Sequence, residues 1–297
     1  MKRTRYLSLC TQVLTALFFV ACATAAPAPS PAPKPESVAK APEKVAKQRT
    51  IVTKVPVLMK ETSFYPDGPK DEYISYKLDE AKKNVLEKST YDASRADPVE
   101  RAVSEYKNGL LAAETLYESD GKVRTRREIG YDASGRIASE KVLDSKSKVQ
   151  SSSAYVYDAS GRKTEWRVLD SSGGVKAVTV YSYDKGGLVG VEMRNIAGAA
   201  TGTIKLENEG GKLVKRSYLA ADGSLQKFEA YSYANGRVST LENRRSDGSL
   251  ASKTAYEYGP LGELLKSVDS DSSGAVTAYS VYEYVVREDS ASETYYE

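Results

Sequence analysis

A glycine returns along this chain at nearly fixed intervals, and that spacing limits what the chain can become. Gly109, Gly135, Gly161, Gly187, Gly211, Gly236 and Gly262 follow one another every 24 to 26 residues. The cleanest surroundings are Tyr131-Asp132-Ala133-Ser134-Gly135-Arg136 and Tyr157-Asp158-Ala159-Ser160-Gly161-Arg162. Looser copies include Tyr183-Asp184-Lys185-Gly186-Gly187, Leu206-Glu207-Asn208-Glu209-Gly210-Gly211, Tyr233-Ala234-Asn235-Gly236 and Tyr258-Gly259-Pro260-Leu261-Gly262. A second series falls between them: Asp120-Gly121, Asp170 to Gly174, Asp222-Gly223, Asp247-Gly248 and Asp271 to Gly274, with weaker members at Lys146-Ser147-Lys148 and Ala197-Gly198. Merged, the two series reverse the chain every 11 to 14 residues. Such a chain reads as a repeat array.

The chemistry of the reversals is explicit. Asp132, Asp158 and Asp184 can each bond the backbone two residues on and so start a turn. Gly135, Gly161, Gly187, Gly211, Gly236 and Gly262 supply the left-handed position that closes it. Between turns lie segments of about eight residues rich in Tyr, Val, Thr and Ser, which read as strands. Residues 79–87 and 98–106 could also form helices, but they keep the spacing of the array and are read as strands. The expected fold is all-β: a repetitive antiparallel meander of hairpins, about 26 residues per two-strand repeat. Up to about 18 strands at ~4.8 Å would make too wide a sheet to stay flat, so a curled or coiled sheet is expected.

Tyrosine dominates the aromatics: 22 Tyr against 4 Phe and 1 Trp. Side chains two apart on a strand share a face. Tyr155, Tyr157, Tyr181, Tyr183, Tyr231, Tyr233, Tyr256 and Tyr258 should therefore form a ladder, continued by Tyr282 and Tyr284. It reads either as a binding face or as cross-strand packing worth about 0.2–1 kcal/mol per pair.

The N-terminus has the order of a secretory signal: basic Lys2, Arg3 and Arg5, an apolar run, then small residues. Ala23-Thr24-Ala25 allows cleavage after residue 25. Phe19-Val20-Ala21-Cys22 resembles a bacterial lipobox with Phe in the place of the usual Leu. It would make Cys22 a lipidation site, with the leader ending at residue 21. The expected organisation is a signal over 1–25 (or 1–21), a Pro/Ala/Lys-rich linker over 26–50, and a repeat domain over 51–297. Both cysteines lie in the leader, and there is no histidine. Disulfides, the commonest metal ligand and the commonest general base are thus missing from the repeat region. The three leader cations match the formal net charge of +3, so the rest of the chain is close to neutral. That disfavours nucleic acid as a partner. Glu140 and Lys141 are neighbours in one strand and put charge on both faces, which argues against a lipid-facing barrel. No cofactor or metal site is expected.

The Tyr-Asp-x-x-Gly-Arg motif, clean at 131–136 and 157–162 and looser as far as Tyr284, resembles the YD repeat of Rhs-type and teneurin-type proteins and of some insecticidal toxin complexes. The resemblance implies β-hairpins wound into a spiral or shell, with carbohydrate binding in some members. The great length, self-cleaving segment and C-terminal effector of those toxins are missing from this sequence. The resulting expectation is a non-enzymatic cell-envelope scaffold, in the periplasm or at the outer membrane or cell surface. It would bind a carbohydrate or protein partner and be held to a membrane if Cys22 is lipidated. A secreted partner-binding or inhibitor module, or a carboxylate-based carbohydrate-active enzyme, stand as alternatives.

Overall fold

The computed structural model describes residues 46–296. The signal, the Cys22 lipobox and most of the linker lie outside the described residues. Residues 46–50, expected to end the linker, begin the first strand instead. One compact unit spans Arg49–Glu293. The described ends of the chain, 46–48 and 294–296, belong to a second unit and are extended strand.

Strands alternate with turns throughout the described residues, and no helix occurs there. The first six strands are β1 (Ala46–Phe64), β2 (Lys70–Leu78), β3 (Val85–Asp92), β4 (Glu100–Lys107), β5 (Leu110–Glu118) and β6 (Val123–Tyr131). The next six are β7 (Ile137–Asp144), β8 (Val149–Tyr157), β9 (Lys163–Leu169), β10 (Val175–Asp184), β11 (Gly187–Asn195) and β12 (Ala200–Glu209). The last six are β13 (Lys212–Ala220), β14 (Leu225–Ala234), β15 (Arg237–Arg245), β16 (Leu250–Tyr258), β17 (Leu264–Asp271) and β18 (Val276–Tyr296).

Each strand pairs antiparallel with the next, as in β6–β7, where Glu128 faces Lys141 and Ile129 faces Glu140. The turns explain the regularity. At 132–136 the Gly135 N–H donates to the Asp132 carbonyl at 3.0 Å and the Asp132 N–H to the Arg136 carbonyl at 2.8 Å. This double closure, with Gly135 at φ +75°, makes a type I turn with a left-handed closing residue. Asn235 and Gly236 both take positive φ, which gives the tighter two-residue hairpin turn of the opposite hand.

The expected curled or coiled sheet is corrected here: the sheet closes on itself. β1 pairs with β18 as well as with β2, so the 18 strands form a barrel. At the seam Lys60 bonds Glu283 at 3.0 Å, the Ser63 and Ser280 hydroxyls meet at 3.2 Å, and Phe64 stacks on Tyr279 at 4.7 Å. Partner numbers fall on β18 as they rise on β1, so this joint too is antiparallel. An even number of alternating strands permits that, and closure removes the two longest exposed edges a meander would have had.

A ring of 18 strands at about 4.8 Å spacing has a backbone radius of at least about 14 Å, more once the strands tilt. Such a ring is too wide for side chains to fill. Among the described residues the only buried apolar ones are Ala102 and Ala113, and no large side chain is fully buried. Stability therefore rests on the backbone ladder and on contacts along each face, not on a thick core.

Candidate binding face

Alternation along the strands sorts side chains onto two faces, and the pairing registers carry the sorting around the ring. One face holds Tyr155 opposite Trp166, Trp166 opposite Thr179, Val191 opposite Tyr181, and Arg216 opposite Glu229. The other holds Glu128 opposite Lys141, Thr115 opposite Arg126, and Lys215 opposite Ala230. Curvature crowds side chains on the concave face and spreads them on the convex one. Burial is the main cause that raises the phenols of Tyr155, Tyr181, Tyr231, Tyr256 and Tyr282, and it pushes Tyr76 up to about 12. On that face the Arg216–Glu229 pair has side-chain exposures of 20% and 13%, against 33% and 55% for Arg126–Glu105 on the other. The tyrosine face is the inside of the barrel. The outside carries Arg–Glu pairs such as Arg126–Glu105, Arg167–Glu165 and Arg244–Glu242.

The predicted ladder divides into two sets with different work. In the second tyrosine of each pair the hydroxyl leaves the face and bonds the neighbouring strand. Tyr157 donates to the Ile137 carbonyl at 2.8 Å, Tyr183 to Lys163 at 2.8 Å, Tyr233 to Leu213 at 2.8 Å and Tyr258 to Val238 at 2.9 Å. Tyr106, Tyr131 and Tyr284 do the same with Val85, Leu111 and Leu264. Where the motif reads Leu206-Glu207-Asn208, the Asn208 amide donates to Leu188 at 3.1 Å. All these bonds lie at one rim, between strands that no hairpin joins there. Each one sews a hairpin to the hairpin before it.

The rest of the motif completes this joint. The Asp132 carboxylate accepts the Ser134 and Arg136 N–H groups at 2.9 Å and the Arg136 Nε at 2.7 Å. Those bonds, the Arg136 N–H first, hold its pKa below the usual aspartate value. So anchored, Arg136 lies over the Tyr157 ring at 4.5 Å, and Arg162, fixed by Asp158, lies over Tyr183 at 4.9 Å. Asp184 accepts the Gly186 N–H at 2.7 Å. Gly161 (+80°), Gly187 (+118°), Gly211 (+75°), Gly236 (+80°) and Gly262 (+86°) occupy their turns with positive φ. The motif is thus a structural unit from end to end.

The first tyrosine of each pair remains on the concave wall. Tyr155 donates to Glu140 at 3.0 Å, and Glu140 also meets Arg127 at 3.4 Å. Glu229 accepts Tyr218 at 2.8 Å, Arg216 at 3.1 Å and the Tyr231 hydroxyl. Tyr256 and Tyr282 line β16 and β18 beside Asp269, which accepts the Thr254 hydroxyl at 2.6 Å. Between Tyr155 and Tyr181 stands Lys163, its ammonium 5.6 Å and 4.3 Å from their ring centres. Burial pushes its pKa down, and the charge of Glu140 opposes that. Lys163, Trp166, Arg216 and Glu229 were not singled out from the sequence. The rim-acceptor position that Lys163 occupies holds Val, Leu or Ile in the other seven copies. No cluster of metal-binding side chains occurs among the described residues.

No family model matches the chain, and no curated protein does. Among solved structures, the chain is similar to the Tc holotoxin pore of Photorhabdus luminescens at 13% identity and TM-score 0.34, covering 71% of this chain and 12% of that one. It is similar to a porin-like protein of Bacteroides uniformis at 10% identity and TM-score 0.41, covering 77% and 98%. A porin-like protein of Bacteroides vulgatus gives 8%, 0.30, 77% and 98%. The chain therefore spans about an eighth of the toxin chain it matches first.

Proposed function

We propose that this chain is an exported, non-enzymatic binding scaffold of the cell envelope, of the YD-repeat kind, whose ligand-binding surface is the inner wall of the barrel. The observation that carries this reading is the division of the tyrosines. The rim tyrosines are engaged in joining hairpins, whereas Tyr155, Tyr181, Tyr231, Tyr256 and Tyr282 line a wide lumen with half-covered rings. Rings with a wet edge and an apolar face suit saccharide rings, whose C–H faces stack on them while their hydroxyls meet nearby carboxylates. Carbohydrate is therefore the proposed partner class.

The outer surface supports a location in water. Lys141, Glu165, Arg167, Glu192 and Lys205 point outward at mid-strand, where a lipid-facing barrel needs an apolar band. Membrane attachment would then come through lipidation of Cys22, with the linker as tether. The prominent inner carboxylates Glu140, Glu229 and Asp269 are held by Arg, Tyr or Thr partners, which suits structure and recognition better than proton transfer. Nucleic acid is not a proposed partner.

A glycan array probed with the full chain tests the reading. Binding that falls at least tenfold in Tyr155→Ala or Tyr231→Ala, with strand content unchanged, supports it. Binding that survives both substitutions, or none to any glycan, refutes it. Fatty-acid labelling of cells that is lost in Cys22→Ser tests the anchor, and protease accessibility on intact cells separates the periplasm from the surface.

A further inference from the structure

The eight rim acceptors form a register of equivalent positions, and one of them breaks the pattern. Their side chains are Val85, Leu111, Ile137, Leu188, Leu213, Val238 and Leu264, with Lys163 as the exception. Only the backbone carbonyl is needed for the rim bond. The cation at 163 therefore does nothing for the joint that an apolar side chain does not do in the other copies. Its strand also holds Trp166, the one tryptophan of the chain. Departures from a repeat's structural rule concentrate where a site has been built.

The surroundings say what that site lacks. Among the described residues no carboxylate lies within ion-pair distance of Lys163, whose ammonium rests on Tyr155 and Tyr181. Glu140, whose charge acts on Lys163, is already bonded by Tyr155 and Arg127. The Trp166 Nε1–H is covered and has no acceptor among the described residues. Leaving such a donor unmatched costs about 1–3 kcal/mol. The Tyr181 phenol is raised by burial alone, with no charge or hydrogen bond contributing. Inward positions of β9 thus offer an ammonium and an indole N–H with no matching anion, walled by the Trp166 ring itself and by Tyr155 of β8 and Tyr181 of β10.

We infer that Lys163, Trp166, Tyr155 and Tyr181 form a site for a carboxylate carried on a ring with an apolar face, which is the chemistry of an acidic saccharide. The inference rests on the lumen being a saccharide-binding wall and narrows it to one place and one charge. The ammonium meets the carboxylate, the rings take the sugar face, and the indole N–H gains an acceptor after a small ring movement. Desolvation by the aromatic walls strengthens the ion pair relative to one in open water.

Trp166 reports on its own site, because no other tryptophan contributes to emission. The test titrates the full chain with a hexuronate oligosaccharide, a neutral hexose oligosaccharide of equal length, and sodium sulfate, reading indole fluorescence. Lys163→Leu installs the residue found at Leu111, Leu188, Leu213 and Leu264, so the fold is kept; Lys163→Arg keeps the charge. The expected result is a saturable change with the acidic oligosaccharide in the native chain and in Lys163→Arg. Affinity should be at least tenfold weaker for Lys163→Leu and for the neutral oligosaccharide. Equal binding of the neutral oligosaccharide, unaffected by Lys163→Leu, overturns the inference and leaves the lumen reading standing. Sulfate matching the oligosaccharide in affinity overturns the saccharide part. Binding of neither saccharide at Trp166 or anywhere else on the chain overturns both readings.

Discussion

Tyr181 and Tyr183 lie two residues apart on one strand and face the same lumen, yet their hydroxyls should differ sharply in worth. The Tyr183 hydroxyl donates to the Lys163 carbonyl at 2.8 Å in a partly buried setting. The Tyr181 phenol is raised by burial only, without a hydrogen-bond contribution. Phenylalanine keeps both rings, and with them the packing of Arg162 over ring 183 and Lys163 over ring 181. Tyr183→Phe removes one neutral hydrogen bond and leaves a rim carbonyl to water or to nothing, a loss of about 1 kcal/mol and at most about 2. Tyr181→Phe removes the hydroxyl of a half-buried residue that has no hydrogen-bond partner among the described residues, and should cost nothing or stabilise slightly. Urea unfolding, followed by circular dichroism and by Trp166 emission, gives the difference from the shift in midpoint at constant slope. Equal midpoints for the two variants would refute the assignment of rim tyrosines to structure and wall tyrosines to recognition. Phenylalanine at 106, 131, 157, 183, 233, 258 and 284 together should cost on the order of 7 kcal/mol if the sites are independent, a large part of a typical domain's stability.

Four further outcomes follow from the same geometry. Alkaline titration at 295 nm should show a set of tyrosines ionising late, because burial raises the phenols of Tyr76, Tyr155, Tyr231 and Tyr282. Their folded values lie above the unfolded one, so the stability they contribute is complete below about pH 10 and is lost as pH rises through about 12, the value for Tyr76. In acid the sign reverses: the turn carboxylates, with Asp170 held down to about 2 by Ser172 and the Gly174 N–H, lend stability above the ordinary aspartate range that fades as pH falls toward 2. Ala at Gly135, where φ is +75°, should lower stability by about 1–2 kcal/mol in the same urea assay, although the added methyl would touch nothing. Arg216→Leu strips the cation from Glu229 and should cost about 1–2 kcal/mol, less than a fully buried pair because the Arg216 side chain is 20% exposed; Arg216→Lys should recover part of it.

What the sequence discloses here and what it hides have physical causes. Turn chemistry is local: Asp132 and Gly135 act within five residues, so their role can be read without knowing the fold. Charge on both faces is equally local, since Glu140 and Lys141 are neighbours and must point apart. Closure is the opposite case. It joins Ser63 to Ser280, 217 residues away, and neither strand carries a local mark of its partner. A meander that closes and one that coils have the same turns and the same alternation. The tyrosine pairs were visible as a ladder but not as two sets, because the difference lies in a carbonyl 20 residues upstream in the cases of Tyr157 and Tyr183. Lys163 stood in plain view as the polar exception after a Gly-Arg turn. Its meaning needed the register that makes it equivalent to Ile137 and Leu213.

Closure of the sheet supports everything else, since only a ring gives the chain an inside. It can be tested by one bond. Cysteines replacing Ser63 and Ser280, whose hydroxyls meet at 3.2 Å, should form an intramolecular disulfide under mild oxidation in a chain whose Cys10 and Cys22 are serine. A faster-migrating, non-reduced monomer with undiminished strand signal is the result the barrel requires. Free thiols or disulfide-linked dimers alone, with the strands intact, would mean that the first and last strands never meet.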